Sequence, residues 1–266
     1  MVREKKIPLV PQKEKRARTL VFLAVALLFT VATISTQYQP FHFLMNMENF
    51  WMFIWEDLLP PKISDWQATL EGILQTLCMA VAASLVSAVI SLLLAFLGAN
   101  TTAPWKPLKK VVRLFASVQR NIPSMIWTFL LIMSFGIGNL VGVLALLITT
   151  CGFLIRSFIE TIDEVGGESL EAMQAVGAGR LTTISQVILP ACLPGFLSWL
   201  LYSLEVNIRS STLVGAVGGG GIGLIMMGYI KQFRYQSAMG VILLIAFLVI
   251  LVDLLTNYLR KKVLSV

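Results

Sequence analysis

The chain has 266 residues, of which 57% are hydrophobic and only 13% charged, with a formal net charge of +7. Soluble domains carry about 25% charged residues, so this composition excludes an ordinary soluble globular protein and implies an all-α integral membrane protein. Seven of the 21 Lys and Arg fall within the first 18 residues; basic residues segregate by predicted membrane side, which makes the charge an orientation signal and not a nucleic-acid surface.

In chain order, residues 1–18 read as a basic cytoplasmic tail. Residues 20–34, LVFLAVALLFTVATI, are long for a signal-peptide core and are followed by no small-x-small cleavage site, so they form an uncleaved first span. Residues 19–66 thus comprise this span and an external segment, where Phe50, Trp51, Phe53 and Trp55 suit the membrane interface. His42, the only histidine, lies outside the spans without metal-ligand partners. A second span covers about 67–97. Its Ala82, Ala83, Ser84, Ser87, Ala88 and Ser91 favour close helix packing. A basic, Pro-containing connection follows, with Lys106, Lys109, Lys110 and Arg113.

The third span takes up the stretch from near Val111 and starts or kinks at Pro123, which donates no backbone hydrogen bond and disfavours helix at Ile122. Only fifteen residues separate 122 from 136 inclusive. Gly136, Gly138 and Asn139 turn the chain outside, and residues 140–159 descend again, with Arg156 and Glu160 spaced to pair on one helix face. A polar island at 164–190 comes next. The fifth span, 191–214, is the most polar, carrying Glu205, Asn207, Arg209, Ser210, Ser211 and Thr212. Charges at such depth are costly and face a cavity or a partner. GAVGGGGIG (215–223) contains a literal G-x-G-x-x-G, but no strand precedes it, so it reads as an external turn, flexible or tightly packed, and not a dinucleotide site. Lys231 and Arg234 lie outside, against the charge bias. A sixth span, about 238–259, ends in Arg260, Lys261 and Lys262. Six spans with both termini cytoplasmic result. Cys78, Cys151 and Cys192 read as packing residues, neither disulfide framework nor metal site.

Within the island, EAMQAVGAGRLTTISQVILP (171–190) reads as helix, bend, helix. It resembles the EAA coupling loop of ATP-binding-cassette importer permeases: Glu171, Ala172, Gly177, Leu189 and Pro190 fall at the motif's positions, Met173 replaces an Ala and Val187 an Ile. The resemblance covers about 67–262 and implies the five-helix core of type I importers with one span added in front, in the bacterial cytoplasmic membrane. It further implies that Glu171, Ala172, Gly177, Val187, Leu189 and Pro190 couple the chain to an ATPase dimer. It likewise implies a periplasmic or lipid-anchored binding protein that delivers substrate and a second permease copy, most simply an identical one, that completes the pathway. The chain has no phosphate-cradling G-x-x-x-x-G-K-[ST] loop, so it is non-catalytic and needs no cofactor of its own; ATP and Mg belong to the partner. The run at 205–223 and RNIPSMIW (120–127) look like the phosphonate and phosphite permeases of this group. A compact phosphorus oxyanion suits Arg209, Ser210, Ser211 and Thr212, with Asn207 beside them, as pathway residues. The alternative at Arg209 is neutralisation by Glu205 one turn earlier. Other cargo for the same machine is an amino acid or quaternary amine; a secondary transporter lacks the expected ion relay, and a membrane enzyme lacks a catalytic constellation.

Overall fold

Hydrophobic runs of the expected length fold as helices in this computed structural model, which describes residues 12–37, 45–175 and 177–264 and, among them, no strand. The basic tail up to residue 11 and His42 lie outside the described residues. The chain divides into two units, Met1–Asp57 and Leu58–Val266.

In the first unit, α1 (Gln12–Thr36) is exposed along nearly its whole length. Its threonines turn their hydroxyls back onto the helix, as Thr33 Oγ1 does to Phe29 O at 2.7 Å. Every polar group satisfied within the helix is what a hydrocarbon environment requires. α2 (Met47–Met52), which carries Phe50 and Trp51, runs into a π-helical turn, Phe53–Leu58, which carries Phe53 and Trp55.

In the second unit, α3 (Trp66–Gly98) begins at Asp65, whose carboxylate accepts from Ala68 N at 2.9 Å. The cap satisfies a free first-turn N–H. At 1.5 Å per residue its 33 residues extend about 50 Å. Of the small residues expected to pack, Ala83, Ser84, Ser87 and Ser91 are buried and Ala88 is half-buried, whereas Ala82 is exposed on the opposite side of the helix and does not pack. Ser87 Oγ donates to Leu147 O at 3.0 Å and Ser91 Oγ to Cys151 O at 3.3 Å, both on the longest helix, α6 (Asn139–Ala175). Cys151 and Cys192 are buried, whereas Cys78 is exposed and does not serve as a core packing residue.

The stretch expected as the third span is divided. α4 (Lys106–Asn121) and α5 (Ser124–Phe135) are separate helices, with Ile122 extended between them at φ −93° and ψ 118°. Pro123 has no N–H to continue the α4 ladder and pushes Ile122 out of the helical region. The 12 residues of α5 reach only about 18 Å. Among the described residues five helices, not six, are therefore long and apolar enough to span, by length and composition: Glu14–Thr36, Trp66–Gly98, Asn139–Gly167, Leu181–Gly219 and Tyr235–Lys262.

After α6 come α7 (Arg180–Thr183), a π-helical turn at Ile184–Ile188, α8 (Leu189–Val214), a wound stretch at Gly215–Gly219 that is kinked at Gly218, α9 (Gly221–Lys231) and α10 (Tyr235–Leu264). The π turn at Ile184–Ile188 has a plain cause. Pro190 offers no N–H to Gln186, and Leu189 N instead bonds back five residues to Ile184 O. The core joins α3, α4, α6 and α8 through Ala95, Val112, Ala116, Leu154, Ile155, Phe158, Ile162, Cys192 and Phe196. The Phe158 and Phe196 rings meet at 4.6 Å.

The glycine run is packed, not flexible. Gly218 is tied to the turn before α6: its carbonyl accepts from Gly138 N at 3.0 Å while its backbone holds φ +117°. Asn139 Oδ1 accepts from Gly221 N at 3.2 Å and Thr76 Oγ1 from Ile222 N at 2.9 Å, so side chains of α6 and α3 cap α9. A Cβ on Gly142 would overlap Gly219 O.

Candidate functional site

The break at Ile122 and Pro123 opens a cavity of about 250 Å³ between the end of α4, the start of α5, the middle of α6 and the middle of α8. Its lining includes Arg120, Ser124, Thr149, Thr150, Ser203, Asn207 and Ser210, with Phe153, Tyr202 and Val206 as apolar walls. The lining contains neither Asp nor Glu. Arg120 reaches it because α4 presses directly onto α6: a Cβ on Gly152 would stand 2.7 Å from Arg120 N and 3.0 Å from Ala116 O. Only a glycine lets two backbones come so near.

Of the pathway residues expected from sequence, two line this cavity. Asn207 is buried and ties three helices: Thr150 Oγ1 donates to Asn207 Oδ1 at 2.8 Å, and Asn207 Nδ2 donates to Ser84 Oγ at 2.9 Å. Ser210 is the other. Ser211 is fully buried with its hydroxyl on Ile208 O, and Thr212 is buried with its carbonyl against Gly223; neither belongs to the lining.

Arg209 also stands apart from the cavity lining. Its Nη2 pairs with Glu205 at 3.0 Å. Glu205, whose side chain is 11% exposed, also faces Arg260 at 3.6 Å. Arg260 Nη1 donates to Asn257 Oδ1 at 3.4 Å, Asn257 Nδ2 donates to Asp253 Oδ1 at 3.1 Å, and the Arg260 guanidinium lies 5.9 Å from the Tyr202 ring centre. This network fastens α8 to α10. Two guanidiniums thus share the one carboxylate of Glu205.

The elbow is continuous with the spans at both ends. α6 runs unbroken through the membrane stretch to Ala175, and Gly177 turns the chain at φ +75°. Ala178 N donates to Met173 O at 3.0 Å, the closure expected where a left-handed glycine ends a helix. Helix, bend, helix is therefore the observed order, with a π turn inserted before α8. Glu171 and Ala172 lie on the α6 backbone, and their side chains fall outside the described residues. Val187 is half-buried in the π turn, and Leu189 and Pro190 open α8.

One site has no sequence signature. Asp163, at the base of the elbow's first arm, accepts from Asn100 Nδ2 at 2.7 Å, from Thr101 N at 3.3 Å and from Arg113 Nη2 at 2.8 Å. Arg113 Nε donates to Gly98 O at 2.9 Å, and Lys109 Nζ to Asn100 Oδ1 at 2.9 Å. The end of α3, the start of α4 and α6 meet on this carboxylate. Fifty residues separate Arg113 from Asp163, so no periodicity links them.

A family model described as binding-protein-dependent transport system inner membrane component matches residues 91–265. The chain belongs to this family of ATP-binding-cassette transport permeases. It is 34% identical over 205 residues to the phosphite transport system permease protein PtxC of Stutzerimonas stutzeri, covering 77% of this chain and 74% of that one. It is 29% identical over 208 residues to the phosphate-import permease protein PhnE of Mycolicibacterium smegmatis, covering 78% of this chain but only 39% of that longer relative. Among solved structures, inward-facing conformations of the MetNI methionine ABC transporter match with a TM-score of 0.65 at 24% identity, over 74% of this chain and 96% of that one. This last likeness shows the fold. The permease is thus a multi-pass, non-catalytic inner-membrane subunit of a transport system that includes an ATPase and a binding protein.

Proposed function

We propose that this permease carries phosphorus oxyanions, phosphite or phosphonates, as the transmembrane subunit of an ATP-driven importer. The observation that carries the reading is a cavity between α4, α5, α6 and α8 whose one charged lining residue is Arg120 and whose lining has no carboxylate. An amino acid zwitterion or a quaternary amine brings a cation that needs a carboxylate or an open aromatic cage. A compact anion needs a guanidinium and hydroxyls. The relatives named for phosphite and phosphate import support the same cargo.

In this reading the core spans 67–262, behind the tail at 1–18 and the first span and external segment at 19–66. The short α5 completes a sixth crossing, and the elbow and both termini face the cytoplasm. The elbow, 164–190, docks on an ATPase dimer through Glu171, Ala172, Gly177, Val187, Leu189 and Pro190. Two copies of the permease close the pathway, and an external binding protein loads it. Nucleotide binding drives the cycle by favouring one docked arrangement over the other. Because both elbow arms are continuous with span helices, a rotation at the elbow turns α6 and α8, two walls of the cavity, directly.

The deciding experiment is ATP hydrolysis by the purified complex, stimulated by binding protein loaded with phosphite, methylphosphonate, inorganic phosphate, methionine or glycine betaine. Stimulation by at least one oxyanion and by neither of the last two is expected; stimulation by methionine or betaine alone overturns the cargo. For the elbow, Gly177→Asp places a bulky acid at the bend and is expected to abolish uptake while the chain still inserts. Wild-type uptake in that variant would remove the docking assignment.

A further inference from the structure

We infer that Arg120, with the hydroxyls of Ser124 and Ser210, forms the anion-binding set of this permease, and that Arg209, the more conspicuous basic residue of the spans, serves the fold. The inference rests on the oxyanion reading above and names the groups that would hold the anion.

The four ion pairs among the described residues use Arg113, Arg156, Arg209 and Arg260. Arg120 is in none of them, and its guanidinium makes no hydrogen bond among the described residues. The same holds for the hydroxyls of Ser124 and Ser210. Apart from the Tyr202 hydroxyl, the other side-chain polar groups of the lining are spent on the protein: Thr149 Oγ1 on Ala145 O at 3.1 Å, Thr150 on Asn207, Asn207 on Ser84, and Ser203 Oγ on Leu200 O at 2.8 Å. Donors left over on α4, α5 and α8 therefore converge on one cavity, with no acceptor of their own chain to take them.

Arg209 has its counter-charge in Glu205. Arg120 is exposed and has none among the described residues, so its positive charge beside the cavity is left for a mobile anion. The guanidinium offers a planar fork to two oxygens, and the serines offer single O–H donors from flanking helices, a set that matches an oxyanion with three or more oxygens. Phe153, Val206 and Ile122 face the same space and accept a non-oxygen substituent, P–H or a short P–C chain, without leaving a polar atom unpaired.

The test uses the full complex, permease with ATPase and binding protein, reconstituted in vesicles and normalised to assembled complex recovered by size exclusion. Uptake of phosphite, methylphosphonate and inorganic phosphate is measured, with methionine as a control. Arg120→Gln is expected to reduce oxyanion uptake about tenfold or more, the loss of a charged hydrogen-bond partner. Arg120→Lys, which keeps the charge and loses the fork, loses roughly threefold, and Ser210→Ala a similar amount. Arg209→Gln acts mainly on recovery of assembled complex and lowers uptake per complex less than Arg120→Gln does. Arg156→Gln, at an exposed ion pair, is the neutral control. If Arg120→Gln does not assemble, the Lys variant decides. Oxyanion uptake at wild-type rate in both Arg120 variants, or a larger per-complex loss in Arg209→Gln, overturns the assignment while leaving the importer reading in place. A wild-type complex that imports methionine and no oxyanion overturns both.

Discussion

The two bends that bound the long helical run from Arg180 to Gly219 use the same residue for opposite reasons. At Gly177 the backbone holds φ +75° and nothing stands within 4 Å of where a Cβ would be. At Gly218, Gly219 and Gly220 the backbone is just as irregular, but every glycine is buried against Asn139, Gly142, Val214 or Ile132. The first needs conformational freedom on an open surface. The second needs empty volume inside a packed joint. An exposed bend with free space suits the docking role proposed for it, whereas the packed one joins the end of α8 to α3, α6 and α9.

The contrast breaks most sharply at Gly219. A Cβ there would stand 2.9 Å from Val214 O and within overlap of its side chain. Gly219→Ala is expected to destabilise the permease by roughly 2–3 kcal/mol, the cost of overpacking a joint with no room to yield. Thermal unfolding in detergent measures it, and a wild-type midpoint would mean that the glycine run is not the rigid partner described above. Next is Asp163→Ala, which strips the acceptor from Asn100 and Arg113 at the base of the elbow arm. Unpaired, partly exposed donors make a loss of about 1–3 kcal/mol, and Arg113→Ala should share it without adding fully, since the two act on one bond. Gly177→Ala comes third. Its cost is the left-handed backbone alone, about 1–2 kcal/mol, and Gly177→Asn should recover most of it because Asn tolerates that region; a loss as large as that of Gly219→Ala would show that the elbow is packed after all. Arg156→Ala is the smallest, within about 0.5 kcal/mol, because its partner Glu160 is 2.9 Å away but both side chains are more than half exposed.

Much of the fold was legible. Apolar run length located the spans of α1, α3, α6, α8 and α10, and the small residues of α3 announced its close packing on α6. The helix, bend, helix order of the elbow was also legible, within residues 171–190. The third span was legible only as a problem: Pro123 forecast a break, yet whether the chain kinks or separates into two helices depends on what the freed groups pack against. The glycine run left flexible and packed readings open, because glycine serves both, and only the bonds to Asn139 and Thr76 chose.

The sequence by itself determined that the chain is a bundle of membrane helices with an amphipathic elbow between two of them, because hydropathy and helical periodicity are local properties readable within a turn or two. It also exposed both fates of Arg209, since Glu205 lies one turn away on the same helix. The tertiary structure alone decided that Arg260 joins that pair from α10, that Asp163 gathers three segments, and that Arg120, Ser124 and Ser210 share one cavity. Compensation of charge and convergence of donors are relations between residues distant in the chain, and no local pattern encodes which of them the folded helices bring together.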